Sequence, residues 1–342
     1  MATLSVGELL EVISEESPSG DNLEYEPEFG EIERASKGKA EQTLGDATTD
    51  AEPPDWRYVE ENTVTLLQKT KDLRLAVMRA QSLLNLEGLS GFASGLQLIQ
   101  GLVDDFWDSV HPELDAEDDD DPTLRVNTLT VLADSDGILK DLSEAVLMST
   151  RGFGSVCLRD VLIARGDIEV HLEEGVQVVD MASVTGTFME CELEELKTQS
   201  EALTMCMESA ASIEKVVNLK VGSSELDLKA LAEIFAQARD VFDEFLIKRG
   251  EVVESAEGDG AAAGSDGIVA GAISNREDAL RMLDKIIAYY KSSEPSSPIP
   301  LLLQRAKRLA NLDFLEIVKD IASDGLGQVR SVGGIDFEDR DN

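Results

Sequence analysis

Between Gly250 and Ile273 the chain gives up the means of building a core. Of these 24 residues six are glycine and six alanine, five are acidic and none is basic. Such a stretch buries too little apolar surface to offset the entropy of ordering it, and its like charges push it open. It reads as a flexible acidic linker, so the segments on its two sides must fold separately. The expected division is 1–150 as an N-terminal helical domain, 151–249 as a middle helical domain, 250–273 as the linker and 274–342 as a small C-terminal module.

Charge narrows the function classes. The 342 residues carry 69 Asp and Glu against 30 Lys and Arg, a net charge of −39. Nucleic-acid binding needs a positive surface that releases counterions from phosphate, and docking on anionic lipid needs the same sign. Neither fits. A hydrophobic share of 42% still permits cores, and only 5% aromatic residues among abundant Leu and Ala leans towards helices. No apolar run approaches the ~20 residues of a membrane span. The first residues lack the basic region and apolar stretch of a secretory signal. Three cysteines, Cys157, Cys191 and Cys206, form an odd, widely spaced set that reads as reduced thiols. The expectation is an acidic, mainly α-helical cytoplasmic protein without direct membrane insertion.

Along the chain, the first fifty residues read as irregular, with Leu23, Tyr25 and Phe29 as apolar anchors among turn formers. Pro53-Pro54-Asp55-Trp56 reads as a helix start, because prolines cannot sit inside a helix and Asp55 can cap it. The apolar face beyond it predicts one helix to about Glu87-Gly88. Further helices are expected over Phe92–Trp107, after Pro122, and over Ile138–Leu147. From Ser155 to Ser183 β-branched residues predict short strands or an irregular connector. Long helices over Met189–Val217 and Leu226–Leu246, joined at Gly222-Ser223-Ser224, predict an αα-hairpin. After the linker, Ser274-Asn-Arg-Glu277 is a capping box. Leu302, Leu303 and Leu309, then Phe314 and Ile317, mark two more amphipathic helices, with a frayed end from about Asp324.

The catalytic signatures are missing. There is no phosphate-cradling Gly-rich loop ending in Lys-Ser/Thr, no Gly-x-Ser-x-Gly, no His-Glu-x-x-His and no Cys-x-x-Cys. Two histidines, His111 and His171, leave little for zinc or triad chemistry. The acidic run from Glu113 to Pro122 lacks the Gly and Glu spacing of a calcium loop and reads as a solvated loop. No catalytic residue, cofactor or metal is expected. Two stretches interleave charge and apolar residues. Lys71, Asp72 and Arg74 sit in an apolar run, as an internal network or a partner contact. Gln304-Arg305-Ala-Lys307-Arg308 is locally basic on a helix too short to bury its own face, which points to assembly.

Several motifs resemble the ImpA N-terminal domain of the TssA proteins of bacterial type VI secretion systems. They are Ser17-Pro-Ser-Gly-Asp-Asn-Leu-Glu-Tyr-Glu-Pro-Glu-Phe29, Pro54-Asp-Trp-Arg57, Thr70-Lys-Asp-Leu-Arg-Leu-Ala-Val77, Phe106-Trp-Asp-Ser-Val-His-Pro112 and Asp121-Pro-Thr-Leu-Arg-Val-Asn-Thr-Leu129. The tail from Glu294 to Ile317 is similar to the C-terminal module of the short, baseplate-associated form. The resemblance implies a non-enzymatic assembly factor that oligomerises through that module into a ring, in multiples of six. It implies contacts with baseplate, sheath and tube proteins, at the inner face of the cytoplasmic membrane through the secretion machine. The segment after the linker is too short for the distal-capping domain of longer forms. The family motifs carry over Trp56, Lys71, Asp72, Arg74, Trp107, His111, Arg125 and Asn127 as structural or partner-contact residues. The expected oligomer interface is Leu302, Leu303, Arg305, Arg308, Leu309, Asp313, Phe314 and Ile317, with Arg305 and Arg308 facing Asp313 or Glu316 of a neighbour. The competing reading is a monomeric acidic helical adaptor for a single basic partner.

Overall fold

The computed structural model describes residues 4–39, 42–44, 47–49, 51–115, 117, 120–168, 179–222, 225–251, 283, 286–287 and 298–309. Most of the expected linker, the capping box at Ser274, His171, and the expected helix through Asp313, Phe314 and Ile317 lie outside these residues. So do Ser223 and Ser224, the frayed end, and the part of the Ser155–Ser183 region from 169 to 178. Residues Met1–Glu251 form one compact unit and Val252–Asn342 a second.

The first unit opens with α1 (Val6–Leu9), closed by a capping box of Ser5 and Glu8. A helix then stands where irregular chain was expected: α2 spans Pro27–Lys37 and buries Phe29 and Ile32. Proline at the first helical position costs nothing, since its missing N–H would have no partner there. Tyr25, expected to anchor, is 91% exposed. A small hairpin comes next, β1 (Gln42–Leu44) against β2 (Ala47–Thr49). The helix α3 (Trp56–Leu67) starts as the prolines and Asp55 indicate, with the Tyr58 N–H donating to Asp55 Oδ1 at 3.1 Å.

The single helix expected from Trp56 to Glu87 is two. The chain leaves helical geometry after Leu67, and α4 (Leu73–Asp105) starts afresh with Asp72 as its cap. Gly88, at φ 68 and ψ −146, then interrupts α4, which resumes at once at Leu89. The two arms fold back on each other so closely that a Cβ on Gly95 would stand 2.5 Å from Ala80 Cα. Only glycine fits there.

Beyond α4 lie α5 (Thr123–Thr130), a 3₁₀ turn (Val131–Ala133) and α6 (Ile138–Glu144). The helix expected to reach Leu147 stops at Glu144, because Val146–Thr150 is β3, antiparallel to β4 (Gly154–Cys157) with Met148 opposite Val156. Leu158–Arg165 is helical (α7) rather than extended. Then α8 (Met181–Glu190) stands where no helix was expected, and α9 (Leu193–Val221) lies where the helix over Met189–Val217 was expected. Gly222, at φ 74, ends α9, and Asn218 holds the turn by bonding both the Leu226 N–H and C=O, at 3.0 and 2.9 Å. The last helix of the unit, α10 (Lys229–Lys248), completes the αα-hairpin.

The core joins both halves of this unit. α9 lies along α4, with Gln100 Nε2 3.2 Å from Ser212 Oγ and Cys206 buried. Phe92 of α4 meets Phe235 of α10 at 6.3 Å, and Phe188 of α8 stacks on Phe245 at 4.4 Å. In the second unit the described helix is α11 (Ile299–Leu309), which is strongly amphipathic. The protein is mainly α-helical.

Candidate functional site

The motif residues gather at the place where three loops meet, below the start of α4. Residues 68–72 form the centre. The Lys71 N–H donates to Ser19 O at 2.7 Å, and Gly20 pairs with Thr70 as an isolated bridge. Gly20 has φ +70, and a Cβ there would stand 2.2 Å from Lys69 O, so a side chain would force the loops apart. On the other side the His111 N–H donates to Lys71 O at 2.9 Å and the Leu73 N–H to His111 O at 2.8 Å. The 68–72 segment is thus laced between two neighbouring loops.

Charged side chains close this knot. Lys71 is 1% exposed and donates to the carbonyls of Leu9 at 2.7 Å and Leu67 at 3.0 Å. It ties α1 to the end of α3. Burial pushes its pKa down, and the charge of Glu11 opposes that only in part. Asp72 accepts from the Arg74 N–H at 2.8 Å as cap of α4, and from the guanidinium at 3.1 and 2.8 Å. Arg74 reaches Glu24 at 3.0 Å and lies over the Phe29 ring at 4.9 Å. Burial works against its charge, but the bonds and charges of Asp72 and Glu24 outweigh it and raise its pKa.

His111 is a buried strut, 2% exposed. Its Nε2 lies 3.1 Å from Gly20 O, while Nδ1 is buried without a hydrogen-bond partner among the described residues, 3.8 Å from Glu113. The His111–Pro112 peptide is cis. Arg125 of α5 is 1% exposed and gathers the loop's free carbonyls. It donates through Nε to Pro112 O at 2.7 Å, through Nη2 to Val110 O at 2.7 Å, and through Nη1 to Trp107 O. Burial lowers its pKa to about 10, against the pull of Asp108 and Glu113. Its guanidinium lies 4.9 Å from the Trp107 ring centre, and Lys220 at the end of α9 approaches the same ring at 5.8 Å. Trp107 therefore couples the knot to the middle of the chain.

Two motif residues stand apart. Trp56 is half-buried and Asn127 is exposed. Trp56 lines an open cleft of about 690 Å³ between α2, the start of α3, α4, the α5 end with its 3₁₀ turn, and α6. Its apolar side is Trp56, Val77, Met78, Val131 and Ile138, and its charged groups are Glu33, Lys37, Arg74, Asp134, Asp136, Lys140 and Asp141. Asp141 accepts from the amides of Gln81 and Asn85, both at 2.9 Å.

Sequence reading did not single out the cleft, because its walls come from several elements separated in the chain. Nor did it single out Arg79, which is 2% exposed, with Nε and Nη1 unpartnered among the described residues and Nη2 3.9 Å from Glu60. An arginine at one more position of an apolar helix carries no signal of its own. Ser19 and Gly20, by contrast, lie in the quoted motif. In α11, Leu302 is 64% exposed and Leu303 partly buried. Among the described residues no group of three or more His, Cys, Asp or Glu could hold a metal ion, and no helix is long and apolar enough to cross a membrane.

A buried knot that fixes helices and an open cleft beside it, on a helical body, define a helical scaffold. Residues 10–134 match the family described as ImpA, N-terminal, type VI secretion system. Over 348 aligned positions, 98% of this chain and 100% of the relative, the sequence is 39% identical to type VI secretion system component TssA1 of Pseudomonas aeruginosa. The fold is similar to an N-terminal domain that includes the conserved ImpA_N region, from the TssA component of Burkholderia cenocepacia. That match has a TM-score of 0.58 at 22% identity and covers 74% of this chain and 97% of the other. The chain belongs to the TssA family of type VI secretion system components.

Proposed function

We propose that this protein is a non-enzymatic assembly component of a type VI secretion system, forming a ring through its C-terminal module and touching baseplate, sheath and tube proteins. The observation that carries this is identity at 39% along essentially the whole of a TssA1 component, not only over the ImpA region. The amphipathic α11 adds physical support. Leu302 is 64% exposed on a short helix, and such a face is covered when copies associate. With −39 charges per chain, a ring also needs its acidic bodies spaced beyond the ~8 Å Debye length of physiological salt, and the Gly/Ala-rich acidic composition of 250–273 suits a spacer.

Light scattering after size exclusion tests the ring, whose mass must be many times the 37.1 kDa of one chain. Truncation at Gly250 is expected to leave a folded, non-ring species, and Phe314→Asp a folded monomer or dimer, since burying an unpaired charge is costly. A truncated protein that elutes as the full-length assembly sinks the C-terminal ring. A monomeric full-length chain favours the adaptor that binds one basic partner.

A further inference from the structure

We propose that the cleft between α2, α4, α5 and α6 is a docking groove for a basic amphipathic helix of another secretion component. This rests on the scaffold reading for the existence of a partner, but not for the chemistry of the groove.

Three observations converge on it. First, α5 and the 3₁₀ turn after it bury one face and leave another open. Arg125, Val126 and Leu129 are buried, whereas Thr128 and Val131 line the cleft, Val131 at 43% exposed, and Leu124, 60% exposed, lies one helical turn before Thr128. Second, two side chains that line the cleft, the half-buried Trp56 and Met78, are of the types enriched at interfaces, and Val131 adds exposed apolar surface beside them. Third, the charge of the walls is unbalanced. Arg74 is neutralised by Asp72 and Glu24. That leaves Glu33, Asp134, Asp136 and Asp141 against Lys37 and Lys140, and none of these four carboxylates is in an ion pair among the described residues. An apolar floor with an acidic rim selects an occupant with an apolar stripe and flanking Lys or Arg. A helix offers both, as anchors at i, i+3, i+4 and i+7 with cations on either side. The acidic rim also speeds encounter with such a segment and turns away the other acidic bodies of the same assembly.

The cleft supplies its own reporter. The chain has two tryptophans; Trp107 is 7% exposed in the knot, and Trp56 lines the cleft. The probe is a synthetic helix of about four turns with Leu at i, i+3, i+4 and i+7 and Lys on both flanks; its twin carries Glu for Lys. Titrated into the full-length protein, the Lys helix is expected to shift Trp56 emission, a change absent in Trp56→Phe, and the Glu twin to leave it unmoved. Val131→Asp and the pair Glu33→Lys/Asp136→Lys are each expected to weaken binding by about tenfold or more. The pair Glu201→Lys/Glu208→Lys makes the same charge change on α9, no residue of which lines the cleft, and is expected to stay within about twofold of the parent.

Equal losses from the α9 pair and the cleft pair would reduce the binding to general charge attraction and overturn the groove. Wild-type affinity in both cleft variants would overturn it as well. If Val131→Asp fails to fold, the Glu33/Asp136 pair decides alone. Trp56 emission that changes with protein concentration, without peptide, would make a second copy the occupant and overturn the partner helix. Light scattering on the same samples separates the two readings. A monomer whose cleft variants lose the peptide keeps the groove and drops the ring. A ring whose cleft variants bind normally keeps the ring and drops the groove.

Discussion

The knot and the cleft both use Trp, Arg and Asp, and they differ in burial. In the knot Lys71, Asp72, His111 and Arg125 are each at most 2% exposed; Lys71, His111 and Arg125 bond backbone carbonyls, and Asp72 accepts from Arg74. In the cleft Trp56, Val131 and Asp136 are open to water. A charged group that is buried and bonded inside the chain has no exposed surface to offer a partner. Its removal strands the acceptors it served. The difference teaches that a motif in this domain can specify how loops are tied, and that contact chemistry has to be sought beside the motif rather than in its most charged members.

That contrast breaks most sharply at Arg125. Arg125→Leu leaves the carbonyls of Trp107, Val110 and Pro112 buried without their donor. At about 1–3 kcal/mol for each stranded group, the loss is expected to be at least about 3 kcal/mol. Urea unfolding should show it as a lower midpoint at unchanged slope. A loss under about 1 kcal/mol would mean that the 107–112 loop is held by something other than this arginine.

Lys71→Met comes second, because it strands two carbonyls, those of Leu9 and Leu67; about 2 kcal/mol is expected. The pH dependence gives an independent check. Burial places the folded pKa of Lys71 below 10.5, so between that value and 10.5 the unfolded chain binds the extra proton. Stability contributed by this group therefore rises with pH across that window. Parent minus variant should show the rise, and a flat difference would remove Lys71 from the knot.

Much of this architecture was legible in the chain, for reasons that can be named. Pro53-Pro54-Asp55 announces α3, and Gly222 announces the α9–α10 turn, because caps and φ > 0 positions leave local signals. The break at 68–72 was not legible, since it contains neither Pro nor Gly. What makes it is that Lys71 and Asp72 cannot both lie in an apolar helix interior, while Asp72 can start a new helix. The α2 helix was hidden by Pro27 read as a turn former, and β3 by a short apolar run that serves either period. The knot residues were legible through their motifs. Their bonding was not, because Ser19, Lys71, His111 and Arg125 meet only in three dimensions.

The cysteines extend the comparison to chemistry. Burial pushes the Cys206 thiol up to about 12 and Cys157 up to about 11, and raises Cys191 despite the charge and hydrogen bond of Arg249. A raised thiol pKa means little thiolate, which is the reactive form. At pH 8 the folded protein is expected to react slowly with a disulfide reagent, and the urea-unfolded protein to release three equivalents rapidly. Fast modification of Cys206 in the folded state would show that the α4–α9 contact opens readily.

The smallest effect is the one that sharpens the boundary. Asn127 shares α5 and the same motif with Arg125, two positions away, yet it is exposed and makes no side-chain hydrogen bond among the described residues. In the middle of a helix Asn is a poorer helix former than Ala, because its amide competes for nearby backbone groups. Asn127→Ala is therefore expected to leave stability unchanged or to raise it by up to about 0.5 kcal/mol, measured by the same urea midpoint. Paired with Arg125→Leu, it asks whether the line between tied and open residues runs through a single helix turn. A loss above about 1 kcal/mol would place Asn127 inside the knot, and the outer face of α5 would then belong to the fold rather than to a partner.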